Sequence, residues 1–188
     1  MENGASSYRR FREDGDDEGL AEIIRNYKDG LIFYLNSLVN NIRVAEELTI
    51  DTFVLLGTKK PKDKGKGSFK TWLYTIARNL TLDYLRKEKR RKQKEISLEE
   101  VPEILRDERS LENSYIKEEE RIMLHRAMRK LKPEYKEVLW LIYFEELSNA
   151  EAAVIMKKTS RQMKNLVYRA KIALKTELEK EDFIYEEL

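Results

Sequence analysis

Cysteine is absent from this chain of 188 residues, which excludes disulfides, thiolate metal sites and cysteine nucleophiles. A single histidine, His125, removes most histidine-based acid–base and metal chemistry. Seven glycines and three prolines supply too few turns for a many-stranded sandwich or barrel. The longest unbroken apolar run, Val138–Phe144, falls far short of the roughly 20 residues that span a bilayer. The opening MENGASSYRRFREDGDDEG lacks the apolar core of a signal peptide. Charge is what the chain has in excess: 38% of residues, against roughly 25% in an ordinary soluble protein. The hydrophobic 41% suffices for small helical cores and not for a wide buried sheet. These features predict an all-α, cytoplasmic protein that is not an enzyme, with no catalytic residues, metal or cofactor.

The formal net charge of +2 conceals blocks of opposite sign. Residues 1–58 carry −5, 59–94 carry +11, 95–128 carry −5, 129–175 carry +6 and 176–188 carry −5. Two basic blocks separated by an acidic one suggest two separate contacts with a polyanion, and nucleic acid is the leading candidate. The acidic segments would repel nonspecific polyanions or cover the basic faces within the molecule.

Breaks in pattern divide the chain into a frayed or disordered lead (1–18), a helical domain (19–94), a linker (95–116), a second helical domain (117–180) and an acidic tail (181–188). Leu20, Ile23, Ile24, Tyr27, Leu31, Tyr34, Leu35 and Leu38 follow helical steps of three and four. A second helix covers about 43–56 and ends at Gly57. Ser68 caps the next, which buries Phe69, Trp72, Ile76 and Leu80. Pro133 suits the first turn of a later helix with Tyr135, Val138, Leu139 and Ile142 on its buried face.

Ser148 and Glu151 have the spacing of a capping box, and so do Thr159 and Gln162. Between them lies a short helix with Ala152, Ala153, Ile155 and Met156 inward, then a turn at Lys157-Lys158. Met163, Leu166, Val167, Ala170 and Leu174 form one apolar stripe on the second helix. Two capped helices around a short turn, the second with a basic outer face, have the layout of a helix-turn-helix DNA reader. Its candidate contacts are Arg161, Gln162, Lys164, Asn165 and Arg169: Arg pairs with guanine, Gln or Asn with adenine, and Lys with phosphate. The competing reading is a helical hairpin that packs on a protein.

In the first domain, the loop 59–67 (KKPKDKGKG) carries five lysines, among them Lys62, Lys64 and Lys66. Lys70, Tyr74, Arg78 and Asn79 follow on the next helix. Aromatics interleaved with cations suit single-stranded nucleic acid, because bases stack on rings while cations track phosphates. Phe69 and Trp72 fit the core better; Tyr74, Arg78 and Asn79 lie off the buried stripe and are the better strand contacts. The preceding helix carries Glu46, Glu47 and Asp51, an acidic face suited to a basic protein partner.

The runs Ala45–Phe53, Ser68–Leu80 and Asp83–Arg86 resemble the first conserved domain of the extracytoplasmic-function sigma factors of the sigma-70 family. Leu131–Tyr135, Tyr143–Glu145, Leu147-Ser148 and Val167–Lys171 resemble their C-terminal domain. The resemblance covers about 20–178. It implies a transcription initiation subunit that binds core RNA polymerase through Glu46, Glu47 and Asp51. It also implies capture and melting of the promoter −10 element by the loop and following helix, and reading of the −35 element by the helix-turn-helix. A membrane-associated anti-sigma protein is the further implied partner. Departures from the family pattern are Ile50 for a common Gln, Lys157 for the usual turn Gly, and Leu166 for a frequently basic residue. The last, with Gln162 and Asn165, predicts an unusual −35 preference. A stand-alone helix-turn-helix regulator is the alternative.

Overall fold

The computed structural model describes residues 4–63, 67–95 and 115–180. The expected linker and acidic tail, with Lys64 and Lys66, fall almost wholly outside these. Every regular element among the described residues is helical: α1 (Gly4–Arg9), α2 (Asp17–Val39), α3 (Ile42–Lys59), α4 (Phe69–Glu95), α5 (Tyr115–Lys130), α6 (Pro133–Leu139), α7 (Asn149–Met156) and α8 (Ser160–Glu179). Single π-helical turns extend α1 through Arg10–Asp14 and α6 through Trp140–Phe144.

Local chemistry sets most boundaries. Asp16 caps α2 by accepting from the Glu18 amide, and Asn41 caps α3 by accepting from Val44. Between those helices Asn40 takes the left-handed conformation (φ 58°) that a short polar side chain tolerates. Ser68 Oγ accepts from the Thr71 amide at 3.2 Å, as its capping position predicts. Gly57 does not end α3, which continues to Lys59 and stops at Lys60 with φ 42°. A glycine in a last turn weakens a helix without breaking it.

Helices α2, α3 and α4 form the first body, packed around Ile23, Leu31, Tyr34, Leu35, Leu48, Leu56 and Leu73. The second body sets α5 and α6 against α8, with α7 closing the core at Leu139, Leu141, Ile155 and Met163. The bodies touch: α7 lies on α4, and α6 on α2.

The frayed lead expected over 1–18 is corrected by the structure from residue 4 onward. Tyr8 and Phe11 are buried, and Tyr8 meets Trp72 and Phe69 at ring-centroid distances of 5.0 and 5.7 Å. The Tyr8 hydroxyl donates to the Pro61 carbonyl at 2.7 Å, tying α1 to the start of the basic loop. Burial pushes the Tyr8 phenol up to about 12. Two aromatics in a polar segment give no periodicity, so the docking depends on a surface more than fifty residues away in sequence.

Where α1 crosses α2, a Cβ at Gly19 would run into the Ser7 carbonyl and lie 3.1 Å from the Phe11 amide nitrogen. Gly19→Ala gains helix propensity of about 1 kcal/mol, yet the obstacle is backbone and cannot swing aside. The expected net result is a loss of about 1–3 kcal/mol, measured by urea unfolding, with Tyr8 exposed first.

Candidate nucleic-acid interface

Both predicted capping boxes form. Ser148 Oγ accepts from the Glu151 amide while Glu151 reaches back to the Ser148 amide, and Thr159 and Gln162 do the same at the start of α8. Lys157 makes the turn between them at φ 54°, where an L-residue other than Gly is strained by roughly 1–2 kcal/mol. The turn therefore keeps the left-handed geometry despite lacking the usual glycine. Met163, Leu166 and Ala170 face the core, which leaves Arg161, Gln162, Lys164, Asn165 and Arg169 exposed along one side of α8. Gln162 commits its side-chain carbonyl to the cap, accepting from the Thr159 amide at 2.9 Å. Leu166, only 7% exposed, is a core residue, so its departure from the family pattern has no direct bearing on base reading.

The first body divides its predicted site residues. Glu46, Glu47 and Asp51 are exposed on α3. Beside them runs an apolar groove of about 570 Å³ lined by Leu20, Ile24, Ile32, Ile50, Phe53 and Val54. Ile50, 59% exposed, stands on that groove rather than in the core. Lys62 is exposed on the loop and Asn79 half-buried on α4.

Tyr74 and Arg78 are not the open strand contacts that their off-stripe positions suggest. Tyr74 is 1% exposed, its ring tilted against that of Tyr34 with centroids 5.2 Å apart, and it donates from its hydroxyl to Glu145 Oε2 at 2.5 Å. Lys70 Nζ donates to the Glu145 backbone carbonyl at 2.8 Å and pairs with the same carboxylate at 2.9 Å. Arg78 holds Glu137 through Nε at 2.5 Å and Nη2 at 3.3 Å, and Tyr34 donates to Glu137 at 2.9 Å. Ser68 and Thr71 each donate to Glu151 Oε1, at 2.8 and 3.1 Å. Three glutamates of the second body thus converge on one face of α4.

The environment fixes the charge states. Burial pushes the Tyr34 and Tyr74 phenols up, and the neighbouring Glu137 and Glu145 charges push them further, so both remain neutral donors. Burial is the largest single influence on the Arg78 guanidinium and would lower it, but its hydrogen bonds to Glu137 and the attraction of that carboxylate's charge together outweigh burial and raise it. Burial likewise opposes ionisation of Glu151, yet bonds from Ser68 and the Ser148 amide and hydroxyl hold it below the usual carboxylate range. Because the folded form favours the carboxylate, its stabilisation is complete above the ordinary value of 4.5 and is lost as pH falls through the lowered one. Acidification from pH ~5 to ~3 is expected to loosen α7 on α4, and Glu151→Gln to flatten that part of a melting-against-pH curve.

Sequence reasoning missed Glu137, Glu145 and Glu151 as partners of α4. A signal existed for the first two: Glu137 precedes the apolar Val138–Phe144 run and Glu145 follows it directly. A carboxylate there is buried only with a cationic or hydroxyl partner.

Comparison with known proteins decides the family. Residues 23–91 match the model of sigma-70 region 2, and residues 121–174 that of sigma-70, region 4. The ECF RNA polymerase sigma factor SigM of Bacillus subtilis (strain 168) is 30% identical over 155 residues, covering 82% of this chain and 91% of that protein. The chain belongs to the extracytoplasmic-function sigma factors. It is 31% identical to the sigma factor BldN of Streptomyces coelicolor over 160 residues, but spans only 59% of that protein's length. Its fold matches the sigma factor RpoE of Bartonella quintana, solved with the anti-sigma factor NepR: TM-score 0.69, 22% identity, 85% of this chain and 96% of that one. As a sigma factor, the protein is a regulatory initiation factor that directs RNA polymerase to promoter DNA. No helix among the described residues is long and apolar enough to cross a membrane.

Proposed function

We propose that the two bodies of this sigma factor divide promoter recognition between them, with region 2 spanning 19–94, region 4 spanning 117–180, and 95–116 linking them. Arg161, Gln162, Lys164, Asn165 and Arg169 read the −35 element in the major groove. Lys62, Lys64, Lys66, Lys70, Tyr74, Arg78 and Asn79 capture the −10 strand, with Lys70, Tyr74 and Arg78 available to it once Glu145 and Glu137 have released them. Glu46, Glu47 and Asp51, with the apolar groove beside them, dock core RNA polymerase. The polymerase performs the chemistry, so the chain needs no catalytic group of its own and works in the cytoplasm. The observation that carries this reading is the exposed polar face of α8 behind a capped turn, presenting the groups that pair with base edges.

An anti-sigma partner fits the same fold, since RpoE was solved with NepR and CnrH with the cytosolic domain of CnrY. The test is promoter-specific transcription by purified core polymerase with and without the chain. Arg161→Ala is expected to relax specificity at one −35 position, at a cost of about 1–3 kcal/mol there. Equal weakening on all sequences would assign Arg161 to phosphate alone. Tight duplex binding with no gain in initiation at any sequence would favour a stand-alone regulator.

A further inference from the structure

We propose that Glu137, Glu145 and Glu151 are an internal competitor for the promoter strand, seating carboxylates where α4 would otherwise receive phosphates. The inference rests on the reading of α4 as the −10 strand site. The groups that meet these glutamates are those that bind oxygen anions. Ser68 and Thr71 stand at the amino end of a 27-residue helix, Lys70 is a point charge, and Arg78 offers a fork. From Ser68 to Arg78 they follow one side of α4 for about 15 Å. Each is already occupied by an anion, and each anion comes from the helix-turn-helix body.

The closure is selective. It covers Lys70, Tyr74 and Arg78 while leaving Glu46, Glu47 and Asp51 on α3 and the reading face of α8 exposed. The closed chain can therefore meet polymerase and duplex DNA before it can hold an unpaired strand. Glu137 is 4% exposed and the Arg78 side chain 12%, so neither can be stranded cheaply. Arg78 exchanges one anion for another. A buried pair adds little net stability over its replacements, and this keeps the exchange close to balanced. The fit is tight: a Cβ at Gly30 would sit 2.6 Å from Tyr74 Oη and 3.3 Å from Glu145 Oε2. A Cβ at Gly30 would press first on the Tyr74 hydroxyl of its own body and, through the bond from that hydroxyl, on Glu145 of the other.

The absence of cysteine allows clean labelling of the full chain at Arg43→Cys and Thr176→Cys, both exposed and outside the sites described. Distances between the labels and binding of a fluorescent single-stranded DNA carrying a −10 sequence are measured together. Glu137→Gln/Glu145→Gln and, independently, Gly30→Ala are expected to shift the distances longer and tighten oligonucleotide binding about tenfold, the gain from a competent state at roughly a tenth. Added oligonucleotide should lengthen the distances in the unsubstituted chain. Unchanged distances in both variants overturn the closure, and so does loss of helicity without separation of the bodies. Separation with unchanged, measurable oligonucleotide affinity overturns the competition while sparing the strand site. Separation with no oligonucleotide binding, even beside core polymerase, overturns the strand site itself and the competitor with it.

Discussion

Arg78→Met is expected to part the two bodies, whereas Arg78→Met combined with Glu137→Leu is expected to bring them back together. Among the described residues, the single change leaves Glu137 buried with only the Tyr34 hydroxyl as a partner, a situation that costs about 3–5 kcal/mol in other proteins. The chain can avoid most of that cost by separating, because Glu137 lies at the seam and regains water once α6 leaves α2. The loss therefore registers as opening more than as global unfolding. In the double variant neither charge remains at the seam, and the Tyr34 hydroxyl, which loses its acceptor, carries only the smaller cost of an unsatisfied neutral group, about 1–3 kcal/mol. Replacing a whole buried pair by apolar residues of similar volume is often neutral or stabilising. Small-angle scattering of the two variants reads the difference directly: an increased radius for the first, an unchanged one for the second. An unchanged radius in the single variant would show that the seam does not depend on this pair.

The parts of the fold readable in the sequence are those whose partners lie nearby. Helix α2 announces itself by eight apolar positions at helical spacing, and both capping boxes close within three residues. The exposed face of α8 follows from the same local rule: once Met163, Leu166 and Ala170 are assigned inward, Arg161, Lys164, Asn165 and Arg169 must face out. What local pattern misses is decided at long range. Helix α1 is fixed by the Tyr8 ring against Phe69 and Trp72, and Tyr74 by a glutamate 71 residues later. Tyr74 lies off the expected stripe, of which Phe69 is buried while Trp72, Ile76 and Leu80 are only half-buried. The buried apolar positions of α4 run through Leu73, Tyr74 and Ala77, and the second body covers Tyr74. Where the second unit sits on the first, at α2 and α4, a helix has two buried faces, and a one-face pattern accounts for one of them.

That same split between inward and outward positions sets the largest effect expected in the second body. Met163 is fully buried on α8, directly between Gln162 and Lys164. Met163→Ala removes its side chain from a core shared with Leu139, Leu141 and Ile155, at an expected cost of about 2–5 kcal/mol. Lys164→Ala removes an exposed cation from the neighbouring position and is expected to change stability by less than about 0.5 kcal/mol. The consequences for DNA should reverse. Lys164→Ala weakens duplex binding on all sequences alike and lowers the salt slope by about one, because one phosphate contact is gone. Met163→Ala leaves the charges in place, so where its second body is still folded the salt slope stays the same. Binding is then lost with heat, in step with the melting of α8 followed by circular dichroism. A lowered salt slope in Met163→Ala at low temperature would mean that this side chain does more than hold the helix, and that the core and the reading face of α8 are not separable.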